Sequence, residues 1–92
     1  MKKPIRVGDE YPSGCVDRII QLFWGTRRAS HNTSSIEYEC LFRINGEWYD
    51  YYECDGPNGG CMTSLLSSVT DSNVEAYAEE QKAKWQKITG QT

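Results

Sequence analysis

Asn45-Gly46 is the feature that most constrains what this chain folds into. It separates two runs of extended character, IEYECLFRI (36–44) and EWYDYYEC (47–54). A two-residue link between such runs calls for a type I′ turn, with positive φ at both positions, and Asn-Gly tolerates that best. A β-hairpin is therefore expected here, and so short a turn sets its register. On one face Ile44 is placed opposite Glu47, Phe42 opposite Tyr49, and Cys40 opposite Tyr51. On the other, Arg43 meets Trp48, Leu41 meets Asp50, and Glu39 meets Tyr52.

The first run alternates cleanly. Ile36, Tyr38, Cys40, Phe42 and Ile44 point one way, and Glu37, Glu39, Leu41 and Arg43 the other. That period of two marks a half-buried strand. The aromatic cluster after the turn is thereby split. Tyr49 and Tyr51 join the apolar face, while Trp48 and Tyr52 lie on the polar one.

Around the hairpin the chain reads as strands first and helices last. Residues 5–14 are an extended piece and a turn, with Pro12 and Gly14 as turn formers. CVDRIIQLFWG (15–25) is a strand rich in β-branched and aromatic residues. Val16, Ile20, Leu22 and Trp24 are expected to share one face, with Arg18 the exception. Residues 26–35 are polar and aperiodic, which predicts a loop, and Arg27-Arg28 is its dense basic spot. The glycine-rich 55–61 segment predicts a connection from strand to helix.

Met62, Leu65, Leu66 and Val69 recur at helical spacing, predicting a short helix over about 62–69. Ser72 and Glu75 fit a capping box ahead of a longer helix over about 73–88. Its stripe is Val74, Tyr77, Ala78, Gln81, Trp85 and Ile88, and Gly90 is its stop. The expected architecture is a single α+β domain over 1–92, with strands between about 5 and 54. Three or four antiparallel strands would be packed by one short and one longer C-terminal helix. The opening VGDEYPSGCVDRII resembles the start of small SH3-like barrels, where Gly-Asp leads into a strand, a glycine turn and a second strand. That resemblance implies an alternative architecture, an SH3-like small barrel with a C-terminal helix.

At 92 residues the chain can bury one modest core, with little left for an enclosed active site. A net charge of −3 weighs against a general nucleic-acid binder. The basic residues of MKKPIRVGDEYPSG precede no apolar stretch, so no signal peptide is expected, and no apolar run is long enough to span a membrane. The expectation is a soluble cytoplasmic protein.

Cysteines 15, 40, 54 and 61 form no Cys-x-x-Cys and match no zinc spacing. Free thiols are the default without an export signal. Cys54 and Cys61 bracket the glycine loop, and a disulfide there would close it. A metal would need Cys15, Cys40 or His31 as well, and Cys40 faces away from Cys54. No metal or cofactor is expected. The 55–61 loop also lacks the Gly-Lys-Ser/Thr ending of a P-loop. Glu37, Glu39, Asp50 and Glu53 are the acid–base candidates, but carboxylates on a solvated strand face are ordinarily just polar. No catalytic residue is assigned, and the chain is read as a non-enzyme.

Arg43, Trp48 and Tyr52 are the residue types enriched at binding hot spots. With Glu39, Asp50 and Glu37 as a polar rim, they form the candidate protein interface. An Arg–Trp pair can equally stabilise the hairpin beneath a covering helix. Both hairpin faces carry large rings, and two short helices cannot cover both, so the face left open is the docking surface. In size and style the chain resembles accessory proteins of phages, prophages and other mobile elements. That resemblance implies a host protein or complex as partner, modulated by occlusion. The alternative is a small nucleic-acid-binding β-barrel-like module using Arg18, Arg27, Arg28 and Trp24, with Arg43 and Trp48 beside them. An exposed hairpin edge also admits a dimer.

Overall fold

The computed structural model describes residues 5–30, 33–55 and 59–89. Five antiparallel strands form one sheet: β1 (Glu10–Tyr11), β2 (Gly14–Ser30), β3 (Thr33–Ile44), β4 (Glu47–Asp55) and β5 (Gly60–Leu65). They lie in the order β1-β2-β3-β4-β5, and the helix α1 (Val74–Thr89) follows. The sheet curls into a half-barrel, and the whole is a small α+β domain.

The central hairpin has the expected register at every pair from Ile44↔Glu47 to Glu39↔Tyr52. Asn45 has φ 51° and Gly46 φ 80°, the left-handed values a type I′ turn needs. Asn45 has a second role. Its side-chain amide donates to the backbone carbonyl of Ser13, tying the β1–β2 turn to the β3–β4 turn.

Four expectations are overturned. Residues 26–35 are not a free loop: β2 runs to Ser30 and β3 begins at Thr33, pairing as Ser30↔Thr33. The polar composition hid a long hairpin, because two strands extending past the core edge need no apolar period. His31 and Asn32 lie outside the described residues. The predicted helix over 62–69 is instead β5, with Tyr49↔Leu65, Tyr51↔Thr63 and Tyr52↔Met62 as partners. A six-residue segment gains a full ladder from β4, whereas a helix that short gains little on its own. Among the described residues there are therefore five strands rather than three or four, and one helix rather than two.

The face assignment of β2 also changes. Register shifts between Val16 and Arg18, and between Gln21 and Phe23, insert bulges that exchange the two faces. Val16, Ile19 and Trp24 lie opposite Ile44, Phe42 and Tyr38 on one face. Arg18, Ile20 and Phe23 lie opposite Arg43, Leu41 and Glu39 on the other. Val16 and Trp24 therefore do not share a face with Ile20. Bulges also sharpen twist, which helps one long strand bend a five-stranded sheet into a half-barrel.

The sheet carries a core on each side. The first packs Ile5, Val16, Tyr38, Cys40, Phe42 and Ile44, with Ile19, Tyr49 and Tyr51 against them. Among the described residues no helix covers this side. The inward curl of the sheet and the strap at Ile5 bury its centre. The second core joins Leu22, Leu41, Trp48, Val69, Val74 and Ala78 beneath α1. The helix stripe is as expected except at Ile88, which is 58% exposed.

The capping box does not form. Asn73 accepts the first helical bond from Tyr77, and its side chain bridges Thr70 N–H and the Ser68 carbonyl. Ser72 bonds Thr70 instead, and Glu75 reaches across to Arg18.

Gly14 shows how tightly the two turns meet. Its φ is +137°, and a Cβ there would lie 2.7 Å from the Asn45 amide nitrogen and 3.0 Å from Ile44 Cγ2. Gly14→Ala is therefore expected to destabilise the domain by about 1–3 kcal/mol. A denaturant midpoint equal to that of the parent would refute this.

Candidate functional site

The sequence-predicted interface lies on the helix side of the sheet. Trp48 is 0% exposed. Its indole N–H donates to Asp71 Oδ1 at 2.8 Å. Two guanidinium groups flank its ring, Arg18 at 5.5 Å and Arg43 at 5.8 Å from the centroid. Arg18 and Arg43 are direct cross-strand partners, an arrangement that like charges ordinarily disfavour. Acids neutralise it here. Arg43 bonds Asp17 at 2.7 Å and Asp71 at 3.0 Å, and Arg18 bonds Glu75 at 3.0 Å. The Asp71 carboxyl is held below its usual range, first by the Trp48 N–H and then by Arg43. These contacts fasten the β5–α1 connection and the start of α1 to the sheet. Trp48 is thus a core residue and not a surface anchor, which corrects the sequence-based expectation for it.

Tyr52, Glu39 and Asp50 also lie on this side, half-buried. The Tyr52 hydroxyl donates to the buried Glu37 carboxylate. Trp85 stacks on Phe23 with centroids 4.3 Å apart, and its N–H donates to Glu39 Oε1 at 2.6 Å. Burial, then a hydrogen bond with Glu39 and its charge, push the Asp50 carboxyl up to about 8. Asp50 therefore holds its proton at neutral pH beside Glu39. Burial and the Asp50 and Glu39 charges also push the Tyr77 hydroxyl up. The arrangement sets a protonated Asp50 beside Glu39 on the side of the sheet that α1 covers.

The face without a helix differs in kind. The Tyr11 and Phe42 rings stack at 5.7 Å, and Phe42 and Tyr49 at 5.2 Å. Farther along, Trp24 meets Tyr38 edge-on at 5.6 Å, and Tyr38 lies 6.4 Å from Tyr51. Beside the first stack is an open groove of about 370 Å³, lined by Tyr11, Pro12, Phe42, Ile44, Tyr49 and Thr63 among others. Its walls are mostly apolar. At its margin Tyr11 is 38% exposed and Leu65 51% exposed. Burial, with the nearby Asp50 and Glu39 charges behind it, pushes the Cys40 thiol beneath this face up to about 11 against the lowering effect of a hydrogen bond with Tyr38, so it behaves as an inert core residue.

Sequence reasoning placed Tyr49 and Tyr51 on this face but treated them as core alone. The missing signal was in the helix. Trp85 and Tyr77 carry polar tips, so their stripe suits a sheet face that offers carboxylates. That pairs α1 with the Glu37, Glu39 and Asp50 side and leaves the apolar side open.

Two groups of candidates are placed differently from expectation. Arg18 is committed to Glu75 and to the Trp48 ring, while Trp24 stands at the far end of the helix-free face. Arg27 and Arg28 are strand positions of β2 whose side chains lie outside the described residues. Cys54 and Cys61 sit at adjacent pairs, Cys54↔Gly60 and Glu53↔Cys61, so their side chains leave opposite faces of the sheet. The disulfide closing residues 55–61 does not form, and all four cysteines are free. That segment joins strand to strand, not strand to helix. No helix among the described residues is long and apolar enough to cross a membrane. The chain matches no protein-family model, no curated protein and no solved structure.

Proposed function

We propose that this is a non-enzymatic protein-interaction module whose docking surface is the helix-free aromatic face. The observation that carries the reading is the groove of about 370 Å³ between Tyr11, Phe42 and Tyr49. It is open, mostly apolar and walled by the exposed Tyr11, the half-buried Tyr49 and the buried Phe42, a setting in which an anchor side chain of another protein is desolvated. Its occupant is a large apolar or aromatic side chain from a partner surface. Ser13 and Thr63 supply the polar margin that fixes its orientation. Binding acts by occlusion, as in accessory proteins of mobile elements that cover a working surface of a host protein. The nucleic-acid alternative is weakened by Arg18 and Arg43, whose charges are already met by Glu75, Asp17 and Asp71.

The test is capture from a native host extract with three proteins in parallel: the parent, Tyr11→Ser with Tyr49→Ser, and Lys84→Ala on the exposed side of α1. A specific partner held by the parent and by Lys84→Ala, and lost by the double variant, supports the reading. The double variant must retain a cooperative melt. Equal capture by all three refutes the groove. Single-stranded nucleic acid bound at low salt and released steeply as salt rises would favour the alternative instead.

A further inference from the structure

The two edges of the sheet are built differently. On one side, β1 is two residues long, and the rest of β2 carries register shifts at three places along its length. It also contains Arg18, Arg27 and Arg28. Short strands, bulges and basic residues are the standard protections of an edge against further pairing. On the other side, β5 has none of them. GCMTSL carries no charge, no proline and no bulge, and all six of its residues are exposed. Met62 is 66% and Leu65 51% exposed, one on each face. Among the described residues no strand pairs with its outer side.

The direction of its backbone groups follows from the ladder. Leu66 N–H donates to the Trp48 carbonyl at 2.9 Å. In an antiparallel pair such bonds recur at every second residue. Ser64 and Met62 therefore also bond toward β4, while Cys61, Thr63 and Leu65 direct their N–H and C=O outward.

We infer that β5 pairs with β5 of a second copy, antiparallel about a two-fold axis at Thr63. This surface is the sheet edge, separate from the groove of the proposed function. In that register Thr63 faces Thr63, Cys61 faces Leu65, and Met62 faces Ser64. All three outward residues of each copy are engaged, whereas centring on Met62 would leave Leu65 out. No like charges meet across the join, because the strand has none. Leu65 and Tyr49 share a face, so the helix-free faces of the two copies become continuous. A second copy is the occupant that this edge matches best, since it supplies an equally unprotected edge and both are satisfied at once. One strand pair buries little area, so the dimer belongs to the weak, concentration-dependent class.

The experiment is sedimentation under reducing conditions from about 1 µM to about 1 mM, which brackets contacts of small area. The parent should rise from the monomer mass of 10.5 kDa toward twice that value. Thr63→Pro removes an outward N–H and leaves the β4 ladder intact, as proline tolerates on an edge strand. It should weaken association about thirtyfold, the equivalent of two net hydrogen bonds, one from each copy. Thr63→Lys, which puts like charges directly opposite each other at the two-fold axis, should act in the same direction if the proline variant fails to fold. A parent that stays monomeric throughout overturns the inference, as does a dimer that persists in both variants. Dimers lost by Tyr11→Ser with Tyr49→Ser, but kept by Thr63→Pro, would place the contact in the groove and overturn it too.

Discussion

Replacing Trp48 with alanine should destabilise the domain by about 3–5 kcal/mol, the range for emptying a buried aromatic site. A chain of this length has total stability of about the same size. The expected result is loss of a cooperative transition, not a shifted one. Three interactions fail together. The ring leaves a cavity among Leu22, Leu41, Val69 and Val74. Asp71 loses the indole N–H it accepts. Arg18 and Arg43 lose the π-face between them and confront one another directly. Adding Arg43→Ala relieves that last repulsion while removing the pairs with Asp17 and Asp71, so the double variant should lose less than the sum of the two single losses, a non-additivity expected of touching residues. Far-UV circular dichroism against denaturant distinguishes the outcomes. A sharp transition in Trp48→Ala with a small shift would return this residue to the surface.

The second large effect is on pH. Asp50 titrates at about 8 when folded against an ordinary carboxylate value when unfolded. The folded chain therefore binds more protons than the unfolded one between those limits, and stability falls as pH rises through that window. Asp50 keeps some solvent contact, so the loss is roughly 2 kcal/mol rather than the full linkage value. Groups facing the pair come from three elements: Glu37 and Glu39 on β3, Tyr52 on β4, and Tyr77, Glu80 and Trp85 on α1. None of those side chains is cationic, so none offsets a second negative charge. Melting temperature should decline from mildly acidic to mildly alkaline pH, and Asp50→Asn, which mimics the protonated form, should flatten that slope. Asp71 acts in the opposite sense. Its folded value is depressed, so its contribution is lost as pH falls through the acid range. A melting temperature that is level or rising toward alkaline pH, or an unchanged slope in Asp50→Asn, would rule out a raised Asp50 carboxyl.

Much of the central hairpin was legible because Asn45-Gly46 leaves one turn type and hence one register. The longer helix was legible because an apolar stripe from Val74 to Trp85 at helical period fits no strand. The bulges in β2 were not, since no residue type in VDRIIQLF announces an extra residue, yet each one exchanges the two faces of all that follows. β5 was misread for a related reason. Met62, Leu65, Leu66 and Val69 match helical spacing, and the partner strand that outweighs that spacing is distant in sequence. The candidate site failed at one point. Register placed Arg43 and Trp48 together correctly, but which face α1 covers depends on contacts such as Trp85 to Glu39, which join residues far apart in the chain.

Asn45 holds two duties in one side chain, and this narrows the evolutionary latitude of its position. As a turn residue alone, it would have substitutes: aspartate and glycine both accept a left-handed backbone. Neither can donate to the Ser13 carbonyl as its amide does. A lineage that drifted to either would keep the central hairpin but release the N-terminal turn from it. The aromatic groove beside Tyr11 and Pro12 takes one wall from that turn. A change at this position that leaves the central hairpin intact would thus still loosen one wall of that groove.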